Sequence, residues 1–220
     1  DESAPKGRMI LPQQQTIRDV LDSDAVCLVT KETQLETLLS SLPKKPRLVV
    51  TDSQAFGFVN KVVPKDIPLT SFSMLFARYK GDLFALADGA DTLDKLRGGD
   101  RVLISEGCTH HRQCNDIGTV KLPNWVSKYT GKDIVFDFTS GRDFPEDVSE
   151  YSLVIHCGGC MLNQREMETR AARAAAQGIP YTNYGVLIAY LNGILERSLT
   201  FLSPYAAGQM HANGCPAGRQ

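Results

Sequence analysis

Four stretches in the second half of the chain read as strands: "RVLIS" (101–105), "DIVFDFTS" (133–140), "SLVIHC" (152–157) and "PYTNYG" (180–185). Each is parted from the next by helical or loop sequence, and most are continuous apolar runs rather than alternations of apolar and polar residues. A strand with one wet face alternates; a strand covered on both faces does not, and such strands belong mostly to parallel sheets joined by helical crossovers. The first half shows the same habit, with "AVCLVT" (25–30), "RLVVTDS" (47–53) and "PLTSFS" (68–73) as buried strands. The pattern restricts the chain to an α/β fold: two small domains with mostly parallel sheets flanked by helices.

The intervening helices are "KETQLETLLSSL" (31–42), "QAFGFVNKVV" (54–63) and a long stretch over 73–96 that stops at the Gly98-Gly99 pair. That pair places the domain boundary, giving units of 1–98 and 99–220. The clearest helix is "MLNQREMETRAARAAAQG" (161–178), where Met167, Ala171, Ala174, Ala175 and Gly178 share one face, charges lie opposite, and Gly178 and Pro180 end it. A last helix covers 184–202; Asn192, Glu196 and Arg197 interrupt its apolar run, so it is a buried or interface helix and no membrane is implied.

Composition narrows the function classes. With 42% apolar and 22% charged residues the chain is an ordinary packed protein. Twenty-four Lys and Arg against 25 Asp and Glu leave a net charge of -1, and no basic run interleaved with aromatics suggests a nucleic-acid groove. The opening residues "DESAPKGRMI" carry no secretory core, which points to a cytoplasmic chain or a piece of a longer one. Its six cysteines are then expected as thiols or metal ligands rather than as a disulfide framework.

Those cysteines fall into groups. "ISEGCTHHRQC" (104–114) follows one strand; "IHCGGC" (155–160) follows another and holds Cys157 and Cys160 in C-x-x-C spacing across a Gly-Gly turn, directly before the Ala-rich helix. In a parallel sheet the carboxyl ends of the strands meet along one edge, so Cys108, Cys157 and Cys160 converge there. Thiolates at the start of that helix also meet its unpaired N–H groups. Soft ligands in this arrangement favour a thiophilic metal or an iron-sulfur cluster. Three cysteines leave one iron of a four-iron cluster open to Glu106, His110, His156 or an external ligand, as suits cofactor assembly or delivery. His156 and His110 serve equally well as supports for the turn or its sulfurs, and a carboxylate placed like Glu106 at a strand end is most often simply solvated. A Cys3His zinc site of Cys108, His110, Cys157 and Cys160 in an interaction module is the main alternative; a thiol redox pair, Cys157 and Cys160, is a further one. His111 and Cys114 read as loop residues, Cys27 as a small buried hydrophobe, and Cys215, with His211 nearby, as an accessible tail thiol.

Cys108-Thr109-His110 and, after a gap of several dozen residues, His156-Cys157-Gly158-Gly159-Cys160 resemble the C-x-H and H-C-x-x-C signature of HydF, the maturation factor family of FeFe-hydrogenases. "APKGRMILPQQQTIRDVLD" resembles the segment that joins that family's GTPase domain to the rest, and the resemblance extends over essentially the whole chain. It implies a dimerisation domain over 1–98, whose sheet pairs with its copy in a homodimer, and a cluster-binding domain over 99–220 with a 4Fe-4S cluster on Cys108, Cys157 and Cys160. It also implies a di-iron precursor as transferred cargo, received from radical maturation enzymes and passed to the immature FeFe-hydrogenase. The family's GTPase domain is not represented: in "YTGKD" Val126 stands where a phosphate loop before Gly131-Lys132 needs glycine, so neither catalytic residues nor nucleotide chemistry is expected of these residues.

Overall fold

A computed structural model describes residues 9–107 and 116–201. The first helix, α1 (Leu11–Asp22), starts where Pro12 presets the helical φ and the Gln13 side chain accepts the Ile10 N–H at 3.1 Å. α2 (Leu35–Ser41) leads to β1 (Val49–Thr51), α3 (Phe56–Val62) and β2 (Leu69–Ser71). β1 and β2 pair in parallel, Val50 opposite Thr70.

The 73–96 stretch is two helices and a 3-10 turn. α4 (Phe72–Lys80) is capped by Ser71 and ends at Gly81; α5 (Leu83–Ala90) is a fresh start, because the Asp82 carboxylate takes the N–H groups of Phe84 and Ala85 at 2.9 and 3.1 Å. The apolar run after residue 184 is broken in the same way. α8 (Tyr184–Leu191) closes on Gly193 at φ +65, with Gly193 N–H on the Tyr190 carbonyl and Ile194 N–H on that of Ala189, before α9 (Leu195–Thr200) begins.

Between them lies a four-stranded parallel sheet of β3 (Arg101–Glu106), β4 (Val135–Ser140), β5 (Leu153–His156) and β6 (Tyr181–Asn183), in the order β4-β3-β5-β6. Its crossovers are α6 (Leu122–Thr130), entered through a π-helical turn at Ile117–Lys121, and α7 (Gln164–Ala176). β3 and β5 are buried along almost their whole length, which is why their sequences carry no alternation. Side chains from both halves, among them Phe56, Met74, Leu86, Leu103, Ile155 and Leu187, form one contiguous core. Among the described residues no helix is long and apolar enough to cross a membrane.

One expected strand is absent. Among the described residues, 25–30 pair with no strand; Val26 is 86% exposed, Leu28 and Val29 are exposed, and Cys27 is half-buried rather than buried. Strand propensity expresses fit to a pleated, half-covered surface, and here the second surface is missing.

Candidate metal centre

The chain leaves β3, crosses to β4 on one side, then returns to β5 on the other side of β3. Right-handed crossovers running in opposite directions send α6 and α7 to opposite faces, so the carboxyl ends of β3 and β5 diverge into a crevice, the usual ligand position of open α/β sheets. Glu106 and Gly107 end β3 there; His156 and Cys157 end β5. The ladder continues past the paired residues Ser105 and His156, since the Cys157 N–H donates to the Ser105 carbonyl at 2.8 Å.

Cys157 is the best-defined sulfur. Its Sγ accepts the Gly107 N–H at 3.0 Å and the Gly159 N–H at 3.4 Å, two oriented donors that favour negative charge on sulfur. Gly107 must lack a side chain, for a Cβ there would lie 2.7 Å from a Leu162 methyl and 3.6 Å from Cys157 Sγ. Gly159 sits at φ +60 with the Met167 thioether where a Cβ would go, so any other residue is strained twice over. The turn closes through Leu162 N–H on the Gly159 carbonyl at 3.0 Å, and Asn163 caps α7 through the Glu166 N–H at 2.8 Å. Hence the donors on Cys157 are loop amides, not the first turn of the helix that the sequence pattern suggested. Cys160 is exposed.

His156 is fully buried, and its neighbours fix its tautomer. A guanidinium can only donate, so Arg170 Nη1 at 3.0 Å makes Nε2 an acceptor, and Nδ1 carries the proton toward the Cys157 carbonyl at 2.8 Å. Burial above all, reinforced by the Arg170 charge and opposed by the bond to that carbonyl, pushes the imidazole pKa down to about 4. Both ring nitrogens are thus engaged. Arg170 itself is 2% exposed: Nε meets Glu166 at 2.8 Å, Nη2 meets the Gly141 carbonyl at 2.8 Å, and the guanidinium lies 5.2 Å from the centre of the Phe144 ring. The small-residue face of α7 therefore includes a buried cation, whereas Ala175 and Gly178 are exposed. A Glu166–Arg170 spacing of four is ordinary on solvent-facing helices, so nothing in the sequence marked it.

Glu106 is 4% exposed, not a solvated carboxylate, and its place one residue after Ser105 puts it on the face opposite His156. It fits because Gly118 is bare: a Cβ there would lie 2.6 Å from Glu106 Oε1 and would overlap the Tyr184 hydroxyl. Tyr184, from the "YTNYG" strand end, thus borders the crevice beside Glu106. A second buried cation stands across the turn. Lys80, at the end of α4, donates through Nζ to the carbonyls of Gly159 at 2.5 Å and Leu162 at 2.8 Å. Lying within a long helical stretch, it carried no sequence signal.

Cys108, His110, His111, Cys114, His211 and Cys215 lie outside the described residues. Among the described residues, no group of three or more His, Cys, Asp or Glu side chains gathers as a metal site. Glu106, His156, Cys157 and Cys160 are brought to one sheet edge.

No curated protein matches the chain. Two domain families do. The Hydrogen maturase F dimerization domain matches residues 1–81, and the Hydrogen maturase F tetramerization domain matches residues 84–201. Both halves are thus oligomerisation modules, and their combined span covers nearly all of the described fold. The resemblance carried by the cysteine motifs and the two matched modules agree: the chain belongs to the Hydrogen maturase F family.

Proposed function

We propose that this chain is the oligomeric scaffold of hydrogenase maturation on which a 4Fe-4S cluster is held by Cys108, Cys157 and Cys160, and from which the di-iron precursor of the FeFe-hydrogenase active site is delivered. Family membership establishes the maturation role and oligomer formation. The cluster and the cargo are inferences from the site. The observation that supports them is the cradle of Cys157, a sulfur at the topological switch point with two backbone N–H groups aimed at it.

The donor set suits the group. Cys157 and Cys160 follow the end of β5 at the crevice, Gly107 and Gly159 leave room for a close approach, and a buried ammonium stands behind the turn. When bound, such a cluster supplies one iron position open to exchange. His156 serves as the buried prop of the Cys157 carbonyl, with no free nitrogen for that iron; Glu106 and His110 are its candidate protein ligands. The radical maturation enzymes that load the cargo and the immature hydrogenase that accepts it are the partners this reading implies. In the dimerisation module, the exposed apolar segment 25–30 and the two-stranded sheet β1–β2 offer the surface for a second copy.

Anaerobic reconstitution with iron and sulfide, followed by visible absorption and EPR of the reduced protein, tests the cluster. Exchange of Cys108, Cys157 or Cys160 for alanine is expected to lower iron and sulfide content. A colourless protein holding one tightly bound zinc would replace the scaffold by the Cys3His module, and full cluster content in any one variant removes that cysteine from the set.

A further inference from the structure

We propose that Lys80 is a positioning residue of the cysteine turn: its ammonium clamps the Gly159 and Leu162 carbonyls and stands as the fixed counter-charge to an anionic metal–thiolate centre. This rests on the reading of the turn as a metal centre. Lys80 is 8% exposed at the end of α4, and lysine is almost never buried without a partner of opposite charge. Among the described residues no carboxylate pairs with it. Its hydrogen bonds go to two backbone carbonyls of one turn, and its ammonium lies 5.3 Å from the centre of the Phe76 ring. Neutral acceptors take two of its three N–H groups but leave its charge unbalanced.

The anionic groups whose charge reaches it are Cys160 and Cys157, which oppose the downward push that burial gives its pKa. Bare thiols balance such a charge only when ionised; three thiolates on a divalent ion or on a dicationic four-iron core leave the centre negative, and reduction of the cluster makes it more so. The arrangement also spans the fold, for Lys80 belongs to the dimerisation module matched over 1–81 and the turn to the module matched over 84–201. It ties the two covalently distant segments at the turn that carries Cys157 and Cys160.

The test compares wild type with Lys80→Met, which keeps the stem without charge or donors, Lys80→Gln, which keeps donors without charge, and Lys80→Arg, which keeps the charge. Cobalt(II) is titrated into the metal-free, reduced chain and followed by its thiolate charge-transfer absorption; the potential of the reconstituted cluster is measured separately. Loss of the charge is expected to weaken cobalt binding roughly tenfold in the Met and Gln variants, the factor that about 1.4 kcal/mol represents. The cluster potential falls in both, because reduction adds negative charge, and Lys80→Arg restores most of both properties. Circular dichroism of the metal-free variants separates folding from binding; if Lys80→Met fails to fold, Lys80→Gln carries the comparison under the same criterion. Wild-type cobalt affinity and potential in a folded, uncharged variant overturn the assignment and leave the metal centre standing. A wild-type chain that binds neither cobalt nor a cluster overturns the metal centre and the role of Lys80 with it.

Discussion

His156 makes the metal-free fold sensitive to mild acid in a way that can be isolated. In the unfolded chain its imidazole titrates near the ordinary value of 6.5; in the fold the value is about 4. A depressed folded value means that the unfolded chain takes up the proton first, so the contribution to stability is intact above about pH 6.5 and is lost as pH falls toward 4. The gap of about 2.5 units, at about 1.4 kcal/mol per unit, predicts a loss of about 3 kcal/mol. That is a large fraction of the roughly 5–15 kcal/mol by which domains are stable. The measurement is urea unfolding of the reduced, chelator-treated chain at several pH values between about 7 and about 4, for wild type and His156→Gln. Glutamine retains an acceptor for Arg170 but does not titrate, so carboxylate effects common to both proteins cancel in the difference. Wild type is expected to be the more stable by roughly 1–2 kcal/mol at neutral pH, from the bond to the Cys157 carbonyl, and to lose that advantage at about 1.4 kcal/mol per pH unit on acidification. Parallel profiles would refute the buried neutral imidazole; a wild-type advantage growing toward acid would show that it is charged in the fold.

Other perturbations follow from contacts described above or from close approaches beside them. A Cβ on Gly89 of α5 would lie 2.7 Å from the Tyr181 carbonyl carbon and 3.2 Å from its nitrogen, with no flexible atom to yield, so Gly89→Ala is expected to cost about 2 kcal/mol in chemical unfolding despite its better helix propensity. Gly98→Ala, facing open space, should change stability by less than about 0.5 kcal/mol, and equal effects at the two positions would discount the contact. Arg170→Met strands His156 Nε2 and the Gly141 carbonyl and should cost roughly 3–5 kcal/mol, read as a drop in melting temperature of roughly 10 °C; a variant as stable as wild type would mean that the buried guanidinium is replaceable by an apolar chain. Val29→Lys on the exposed 25–30 segment should lower the mass seen by light scattering while leaving the urea midpoint of the dilute protein unchanged, and an unaltered mass would remove this segment from the oligomer interface.

What was legible from the amino acids depended on local pattern. The six strands among the described residues coincide with expected runs, β3 reaching one residue further to Glu106, because continuous apolar β-branched sequence, bounded by turns, has few other uses. Residues 25–30 carry the same pattern and form no strand, since pairing requires a neighbour and none stands beside them among the described residues. Helix breaks at Asp82 and Gly193 were written in the sequence as a capping carboxylate and a glycine, yet apolar continuity across them outweighed both. α1 and α6 were not anticipated at all; neither "LPQQQTIRDVLD" nor "LPNWVSKYT" presents a long apolar face. At the site, the cysteine spacing sufficed to reach the family and to bring Cys157 and Cys160 to the end of β5. The burial of Lys80, Glu106 and Arg170 was not legible, because a charged residue enters an interior only where distant backbone and side chains receive it. Lys80 meets Gly159 from 79 residues away, a pairing no local window contains.

The cradle of Cys157 has a consequence for when the protein can work. Gly107 and Cys157 are 50 residues apart, and their N–H···S contact exists only once β5 has docked beside β3. A nascent chain that has emerged only through β4 has its first cysteine group but no C-x-x-C turn, and one that has just completed β5 still lacks α7 behind the turn. Non-local parallel pairing is the slow part of such folds. On the proposed cluster reading, metal loading is ordered after sheet closure, and part of the affinity of a loaded centre is free energy already spent on bringing two strand ends together. On that reading, whatever retards closure, a destabilised β3–β5 seam or a loosened α7, delays cluster loading without touching a single proposed ligand.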